Sequence, residues 1–261
     1  MPELPDVEAL ARRLRRTVGG HRISHVRILS SSTVRSPHPR LFARRLRGRR
    51  ITRIRRRGKY LLIDLDGALT LVVHLRMTGD FAVAPRPSPL PPHARVVLAV
   101  DGKELRFIDQ RRFGHMDLLP TQALKTFEGL RRLGEEPLGP GFTRVKLRAL
   151  LRGRRGALKG LLLRQDLIAG IGNLYADEIL FRARLLPTRA AGSLRPVEVR
   201  RLHETVRRVL REATAALSRN GGEAGGLLDS ERGGVCPRCG RELSAARIAG
   251  RTTFFCRFCQ R

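Results

Sequence analysis

Residues 60–75 read YLLIDLDGALTLVVHL and decide the class of the fold. Two short apolar runs, 60–65 and 69–75, carry the residue types that strands favour, and Asp66-Gly67 between them is typical of a hairpin turn. Further runs follow at 96–100 and 105–108, joined by Asp101-Gly102. The pattern therefore predicts a β-rich unit from about residue 51 to residue 119.

Helical spacing flanks this β-rich segment on both sides. Before it, apolar residues recur every three to four positions from Val7 to Val18, and Pro5 and Asp6 suit a first helical turn. After it, glycine and proline interrupt the chain at 134–141, and helical periodicity returns, clearest from Leu202 to Leu217. We expect an N-terminal helix and a second unit that is mostly α.

The last part of the chain contains all four cysteines, arranged as Cys236-Pro-Arg-Cys239 and Cys256-Arg-Phe-Cys259. Two such pairs let two turns bring four thiolates to one zinc ion, whereas disulfides or redox chemistry do not require matched pairs at this separation. Four protein thiolates leave no open coordination position. We therefore predict one structural Zn²⁺ in a small module that follows a glycine-rich connector at 220–234.

These patterns predict an α+β protein in three parts. Residues 1–133 form an N-terminal helix with a β-rich unit, residues 134–225 form a helical domain, and residues 226–261 form the zinc module. No apolar stretch approaches the roughly 20 residues that cross a bilayer, and the start lacks a signal-peptide pattern. The expected location is the cytoplasm, without membrane contact.

The charge of the chain points to a polyanionic partner. Lys and Arg number 53 against 23 Asp and Glu, for a net charge of +30, and residues 40–57 contain ten arginines and no acid. Such density suits salt-dependent binding to nucleic-acid backbones without sequence preference. The alternative explanation of the total positive charge is that proteins of the source organism are rich in arginine in general.

Four separated stretches resemble the formamidopyrimidine-DNA glycosylase / endonuclease VIII family. They are PELPDVE at 2–8, RGKYL at 57–61, DQRRFG at 109–114 and QDLIAGIGNLYADE at 165–178, and the zinc cysteines follow in the family's order. The resemblance implies a helix-led β-sandwich, a helical domain with a helix-two-turn-helix element, and a zinc hairpin. This agrees with the architecture predicted from the residue patterns.

The resemblance also implies an activity. Members bind damaged double-stranded DNA, turn out the damaged nucleotide, remove its base and cleave the strand by β,δ-elimination. Pro2, freed by removal of Met1, corresponds to the amine nucleophile, Glu3 to the acid/base carboxylate, and Lys59 to a lysine near the lesion phosphate. Taken without the other motifs, Pro2 and Glu3 are better explained as the start of a helix, and Lys59 as a solvated lysine.

The resemblance assigns the remaining matched residues to DNA contacts. Phosphates would be held by His74, Arg112, Asn173 and Arg251, and the gap left by the extruded nucleotide would be filled by Met77, Arg111 and Phe113. Considered singly, Met77 and Phe113 suit core packing, His74 suits a satisfied strand histidine, and Asn173 suits a helix N-cap.

Several positions depart from the family pattern. Asp6, Arg76 and Gln110 replace the usual residues, and Arg76 stands where glycine is common, next to Met77. Residues 220–236 are short for the segment that covers a flipped 8-oxoguanine in formamidopyrimidine-type members. Oxidised purines, oxidised pyrimidines and hydantoins all remain open as substrates.

The functional hypothesis is a monomeric, nucleoid-associated DNA glycosylase and abasic-site lyase. The alternatives are a noncatalytic zinc-containing nucleic-acid-binding protein and a lyase without base excision.

Overall fold

The computed structural model describes residues 1–220 and 234–261, so the predicted short covering segment at 220–236 lies almost entirely outside the described residues. The chain forms two compact units. Unit 1 comprises Met1–Pro2 and Asp6–Arg131, and unit 2 comprises Glu3–Pro5 and Arg132–Arg261. The zinc module thus lies in the same compact unit as the helical segment.

Unit 1 consists of two sheets with short helices. The helices are α1 (Leu4–Val18, whose first two residues group with unit 2), α2 (Pro39–Leu46) and α3 (Glu128–Arg131). The strands are β1 (Ile23–Ile28), β2 (Val34–Ser36), β3 (Ile51–Arg57), β4 (Tyr60–Leu65), β5 (Leu69–His74), β6 (Asp80–Pro85), β7 (Ala94–Val100), β8 (Lys103–Ile108) and β9 (His115–Pro120). They form a four-stranded sheet, β1-β7-β8-β6, and a five-stranded sheet, β2-β9-β5-β4-β3.

A single hydrophobic core joins the two sheets of unit 1 to α1 and α2. The apolar stripe of α1 is fully buried at Val7, Ala11 and Leu14, as its helical spacing predicts. Between β7 and β8, Asp101 and Gly102 both have positive φ, 38° and 77°, as a two-residue hairpin turn with right-handed twist requires. The predicted helix-led β-sandwich is confirmed.

Unit 2 contains the helical domain and the hairpin of the zinc module. Its elements are α4 (Arg144–Leu151), α5 (Leu158–Leu163), α6 (Asn173–Arg182), α7 (Pro196–Asn220), β10 (Ser244–Ile248) and β11 (Arg251–Phe255). On α7 the buried residues Leu202, Val206 and Leu210 repeat every four positions and confirm the predicted periodicity. Within the described residues, no helix is both long and apolar enough to span a bilayer.

The segment between α5 and α6 is organised by one side chain. The amide of Gln165 donates to the backbone oxygens of Leu163 and Ile171 at 3.0 and 2.7 Å, and accepts from the N–H of Gly170 at 2.9 Å. Gly170 has a φ of +90°, which favours glycine, and an added Cβ would meet Leu4 at 2.7 Å. These bonds fix the turns that precede the N-terminus of α6.

Candidate active site

Glu3 is held at the N-terminus of α6. Its side chain is almost fully buried, and its carboxylate accepts backbone N–H bonds from Gly172 at 2.6 Å, Leu174 at 2.9 Å and Tyr175 at 3.4 Å. The first N–H groups of a helix have no partner within the helix and carry its positive dipole end. The three donors therefore stabilise Glu3 as a carboxylate in a fixed position.

Gly172 provides the space that this carboxylate occupies. A Cβ at position 172 would lie 2.3 Å from Cδ and 2.4 Å from Oε1 of Glu3. The backbone of Gly172 has φ −125°, which any residue adopts, so glycine is required here for space and not for conformation.

Pro2 lies one peptide bond from this anchored carboxylate. It is partly buried, and Met1 before it is 49% exposed. The next peptide group is also fixed, because the N–H of Leu4 donates to the oxygen of Gly170 at 3.0 Å. The amine that Met1 removal would expose is thus attached to an immobilised segment.

Lys59 and His74 belong to unit 1, Lys59 in the turn between β3 and β4 and His74 on β5 of the five-stranded sheet. Lys59 is largely buried and follows Gly58, whose φ of +55° makes the turn between β3 and β4. At the end of β5, Nδ1 of His74 accepts the N–H of Arg76 at 3.0 Å. Burial, reinforced by Arg76 and by further nearby charges, lowers the pKa of His74 to about 3. His74 is therefore neutral at physiological pH, with its proton on Nε2.

Arg76, which replaces the usual glycine, keeps the loop geometry that glycine favours. Its φ is +58°, in the left-handed region, where a side chain costs roughly 1–2 kcal/mol. The hydrogen bond from its N–H to His74 holds this conformation. The departure from the family pattern thus preserves the path of the chain toward Met77.

A buried carboxylate connects the loop of Met77 with the loop that carries residues 111–113. Asp109, 1% exposed, accepts from the hydroxyl of Thr78 and from the N–H of Gly114, the latter at 2.7 Å. Thr78 in turn accepts the N–H of Arg111 at 3.1 Å. Within unit 1, the predicted gap-filling residues are therefore carried on two hydrogen-bonded loops.

The side chains of the 111–113 loop are presented to solvent. Arg111, Arg112 and Phe113 are all exposed, Phe113 at 52%, and the guanidinium of Arg111 lies 4.8 Å from the centre of the Phe113 ring. The core-packing interpretation of Phe113 is wrong. Met77 is half-buried.

Asn173 links α6 to the zinc hairpin. It is the first residue of α6, and Gly172 occupies the N-cap position, so the N-cap interpretation of Asn173 is wrong. Its side-chain amide donates to the backbone oxygen of Thr252 at 3.3 Å. Arg251, which precedes Thr252 at the start of β11, is exposed. Unit 2 therefore brings Glu3, Asn173 and Arg251 together.

A buried ion pair that sequence reasoning missed reinforces this arrangement. Lys159 on α5 is fully buried, with its Nζ 2.8 Å from Oδ1 of Asp177 on α6, and it donates to Thr253 Oγ1 at 2.7 Å. Burial lowers the pKa of Lys159 and raises that of Asp177 to about 6, and each charge opposes the shift of the other. The available signal was a lysine inside the apolar run LKGLLL.

The four cysteines form a compact thiolate cluster. Their Sγ atoms all lie within 4.8 Å of one another, with Cys236 to Cys259 at 3.8 Å and Cys239 to Cys256 at 3.6 Å. Zinc–sulfur bonds of about 2.3 Å in a tetrahedron place sulfurs roughly 3.8 Å apart. The residues fit one structural zinc ion, and among residues 1–220 and 234–261 no other group offers metal-binding geometry.

Removal of zinc is expected to weaken DNA binding by about 100-fold or more, because the small hairpin has little core without metal. Asn173 and Arg251 would then lose their common support on β11. Affinity for abasic-site duplex after chelation, and again after zinc is restored, measures the effect. Undiminished affinity in protein shown to be zinc-free would contradict it.

The arginine run at 40–57 is only partly available to a polyanion. Arg49, Arg55 and Arg56 are ion-paired with Asp66, Asp64 and Glu8, at 3.9, 2.7 and 3.3 Å respectively. Acids outside the run therefore offset part of its charge, and the role of the run in binding DNA phosphates stays a prediction.

Comparisons with known domains cover most of the chain. Residues 1–116 match the formamidopyrimidine-DNA glycosylase N-terminal domain, and residues 133–221 match the formamidopyrimidine-DNA glycosylase H2TH domain. Residues 233–261 match a zinc finger found in FPG and IleRS. The order of the three matches is the order of the predicted domains.

Full-length relatives and solved structures agree with these matches. Formamidopyrimidine-DNA glycosylase of Symbiobacterium thermophilum is 45% identical over 100% of this chain and 89% of its own, and that of Moorella thermoacetica is 44% identical over 95% of each. Lactococcus lactis Fpg (MutM), in a complex with N7-benzyl-Fapy-dG containing DNA, has a TM-score of 0.90 and 29% identity over 100% of both chains. A Lactococcus lactis Fpg complex with abasic site containing DNA has a TM-score of 0.91 and 29% identity over 99% of both. The chain therefore belongs to the formamidopyrimidine-DNA glycosylase family.

Proposed function

We propose that this protein removes oxidised bases from duplex DNA and cleaves the resulting abasic site through an iminium ion formed on Pro2. The observation that carries the proposal is the Glu3 carboxylate, which is buried, held by three backbone N–H groups and adjacent to Pro2 in the chain. An α-amino group has a pKa near ~8, so a useful fraction of a freed Pro2 amine is neutral and nucleophilic at physiological pH.

In base removal, the neutral Pro2 nitrogen attacks C1′ of the damaged nucleotide. The C1′–base bond breaks, and its electron pair leaves with the base, which takes up a proton. Glu3, held as a carboxylate, accepts the proton that the Pro2 nitrogen loses and delivers it to O4′ as the C1′–O4′ bond breaks. The nitrogen lone pair then forms the C1′ iminium.

In strand cleavage, the iminium acts as the electron sink. Loss of a C2′ proton expels the 3′ phosphate, and loss of a C4′ proton then expels the 5′ phosphate. Water adds to C1′ of the remaining iminium, and the C1′–N bond breaks to release the sugar aldehyde and regenerate the Pro2 amine. The zinc ion has four protein ligands and takes no part in these steps.

The remaining matched residues hold the DNA. Exposed Arg112, Arg251 and the Nε2–H of His74 suit phosphates, together with Lys59 and Asn173. Met77, Arg111 and Phe113 lie on the two loops joined by Asp109, and their exposed ring and guanidinium suit insertion at a kinked step. We place the protein on the nucleoid, since its charge of +30 favours binding to chromosomal DNA. We also propose that it acts as a monomer.

A lesion panel tests the proposed function. Duplexes with a formamidopyrimidine, 8-oxoguanine, an oxidised pyrimidine, a hydantoin or an abasic site are incubated with borohydride, with undamaged duplex as the control. We expect covalent adducts and strand cleavage on at least one modified base and on the abasic duplex. Cleavage of the abasic duplex alone would show a lyase without base excision, and binding without adducts would show a noncatalytic protein.

Gly172→Ala is expected to slow base excision by about 10- to 100-fold while the protein still folds. The added methyl displaces the Glu3 carboxylate, and a misplacement of about 1 Å in a catalytic group can cost about 100-fold. Single-turnover excision rates measure the effect. Gly160→Ala on α5 is the matched control, because its nearest neighbour is 3.7 Å away. Equal rates in both variants would contradict the assigned role of Gly172.

A further inference from the structure

Three ring side chains lie in register across the five-stranded sheet of unit 1. Tyr60 on β4 pairs with His74 on β5, which pairs with His115 on β9. The two imidazole rings are stacked, with centroids 5.6 Å apart and planes 14° apart, and the Tyr60 ring packs edge-on against His74 at 4.6 Å. The His74 ring is thus enclosed on two sides by neighbouring strands.

His115 also contacts the loop that carries Phe113. It is 5% exposed and hydrogen-bonds the Phe113 backbone, while its Nε2 is buried without a partner among the described residues. The backbone bond therefore uses Nδ1. A buried unpartnered polar atom costs roughly 1–3 kcal/mol, so a histidine is a poor choice here for stability alone.

Burial keeps both rings neutral, and nearby positive charges reinforce its effect. Arg76, Lys59 and Arg35 add to the effect of burial on His74, and Arg35 and Arg76 add to it on His115, so that neither ring gains a proton at physiological pH. Asp117, next to His115 on β9, is itself buried, and burial raises its pKa. Tyr60 is half-buried and its pKa is raised by burial as well. The neutral rings of His74 and His115 can therefore stack without repelling each other.

We propose that His115 is a positioning residue that holds the neutral His74 ring with its Nε2–H available to a DNA phosphate and couples it to the Phe113 loop. The Arg76 N–H fixes one edge of the His74 ring through Nδ1, and the stacked His115 ring fixes its face. This role rests on the proposed contact of His74 with DNA.

A double-mutant cycle tests the proposal. Affinity for a duplex with a tetrahydrofuran abasic-site analogue is measured for wild type, His115→Leu, His74→Ala and the double variant. We expect His115→Leu to weaken binding about tenfold, the scale of one hydrogen bond to a charged group, and to have little further effect once His74 is alanine. Additive losses, or unchanged affinity in His115→Leu, would overturn the proposal.

Two further variants separate positioning from a general effect on folding. His115→Phe keeps the stacked ring and His115→Asn keeps a donor for the Phe113 backbone, so each should recover part of the affinity. In steady-state cleavage assays, kcat at saturating DNA should remain at the wild-type value while KM rises. A fall in kcat together with a lower Tm in all three variants would instead show a structural role. Borohydride trapping by the wild type on the same abasic duplex reports separately on the proposed function.

Discussion

Protein in which the Pro2 nitrogen remains in an amide, because an N-terminal tag is left in place, is expected to lose base excision and strand cleavage by about 10⁴-fold or more. An amide nitrogen has no available lone pair, so neither attack on C1′ nor an iminium is possible. Single-turnover excision on a lesion duplex measures the loss. Affinity for the same duplex should change far less, because the DNA-holding side chains are untouched.

Pro2→Gly provides the intermediate case. It retains an α-amine but loses the rigid secondary amine, so its rate should lie between those of the wild type and the blocked protein. Zinc content and Tm serve as controls for folding. If the blocked protein cleaved at the wild-type rate, Pro2 would have no catalytic role and would serve only at the start of the helix.

Glu3→Gln is expected to lower base excision by about 10²- to 10⁴-fold, the range of general acid–base catalysis. The amide cannot carry the proton between Pro2 and O4′, and its NH₂ group would face the N–H donors of Gly172 and Leu174. DNA affinity should remain near the wild-type value. The measurement is the single-turnover rate of base release at saturating enzyme.

Glu8→Gln is the matched control for this variant. Glu8 lies on α1, five residues after Glu3, and is paired with Arg12, Arg15 and Arg56, not with a helix N-terminus. Its substitution removes one carboxylate from α1 without touching the site, so excision should remain near the wild-type rate. Similar losses in both variants would point to a general effect of losing a carboxylate near the N-terminus and not to a specific role of Glu3.

The elements with strong local signals were predictable from the sequence. Hairpin turns with Asp-Gly, the apolar stripe of α1 and the paired cysteines depend on neighbouring residues, and the structure confirms them. Strand β1 and helix α2 were missed. Three residues of β1 are exposed, and the PRLFARRL sequence of α2 has only Phe42 and Leu46 buried, so an arginine-rich run concealed its amphipathic spacing.

The sequence identified those site residues that adjoin one another in the chain or belong to a family motif. It did not identify interactions made by backbone groups that are distant in sequence. Adjacency of Pro2 and Glu3 is visible in the sequence, but the N–H donors that hold Glu3 belong to residues 172–175. Lys159 and His115 were missed because a lysine is usually solvated and a strand histidine is usually unremarkable. Their roles depend on the pairing of α5 with α6 and of β5 with β9, which only the fold provides.

Catalysis by the Pro2 nitrogen is tested by locating the borohydride-trapped adduct in the chain. Protein trapped on an abasic duplex is digested, and the N-terminal peptide is sequenced by mass spectrometry. We expect Met1 to be absent and the reduced sugar remnant to be attached to the nitrogen of Pro2. A remnant on Lys59, or fully active protein that retains Met1, would contradict it.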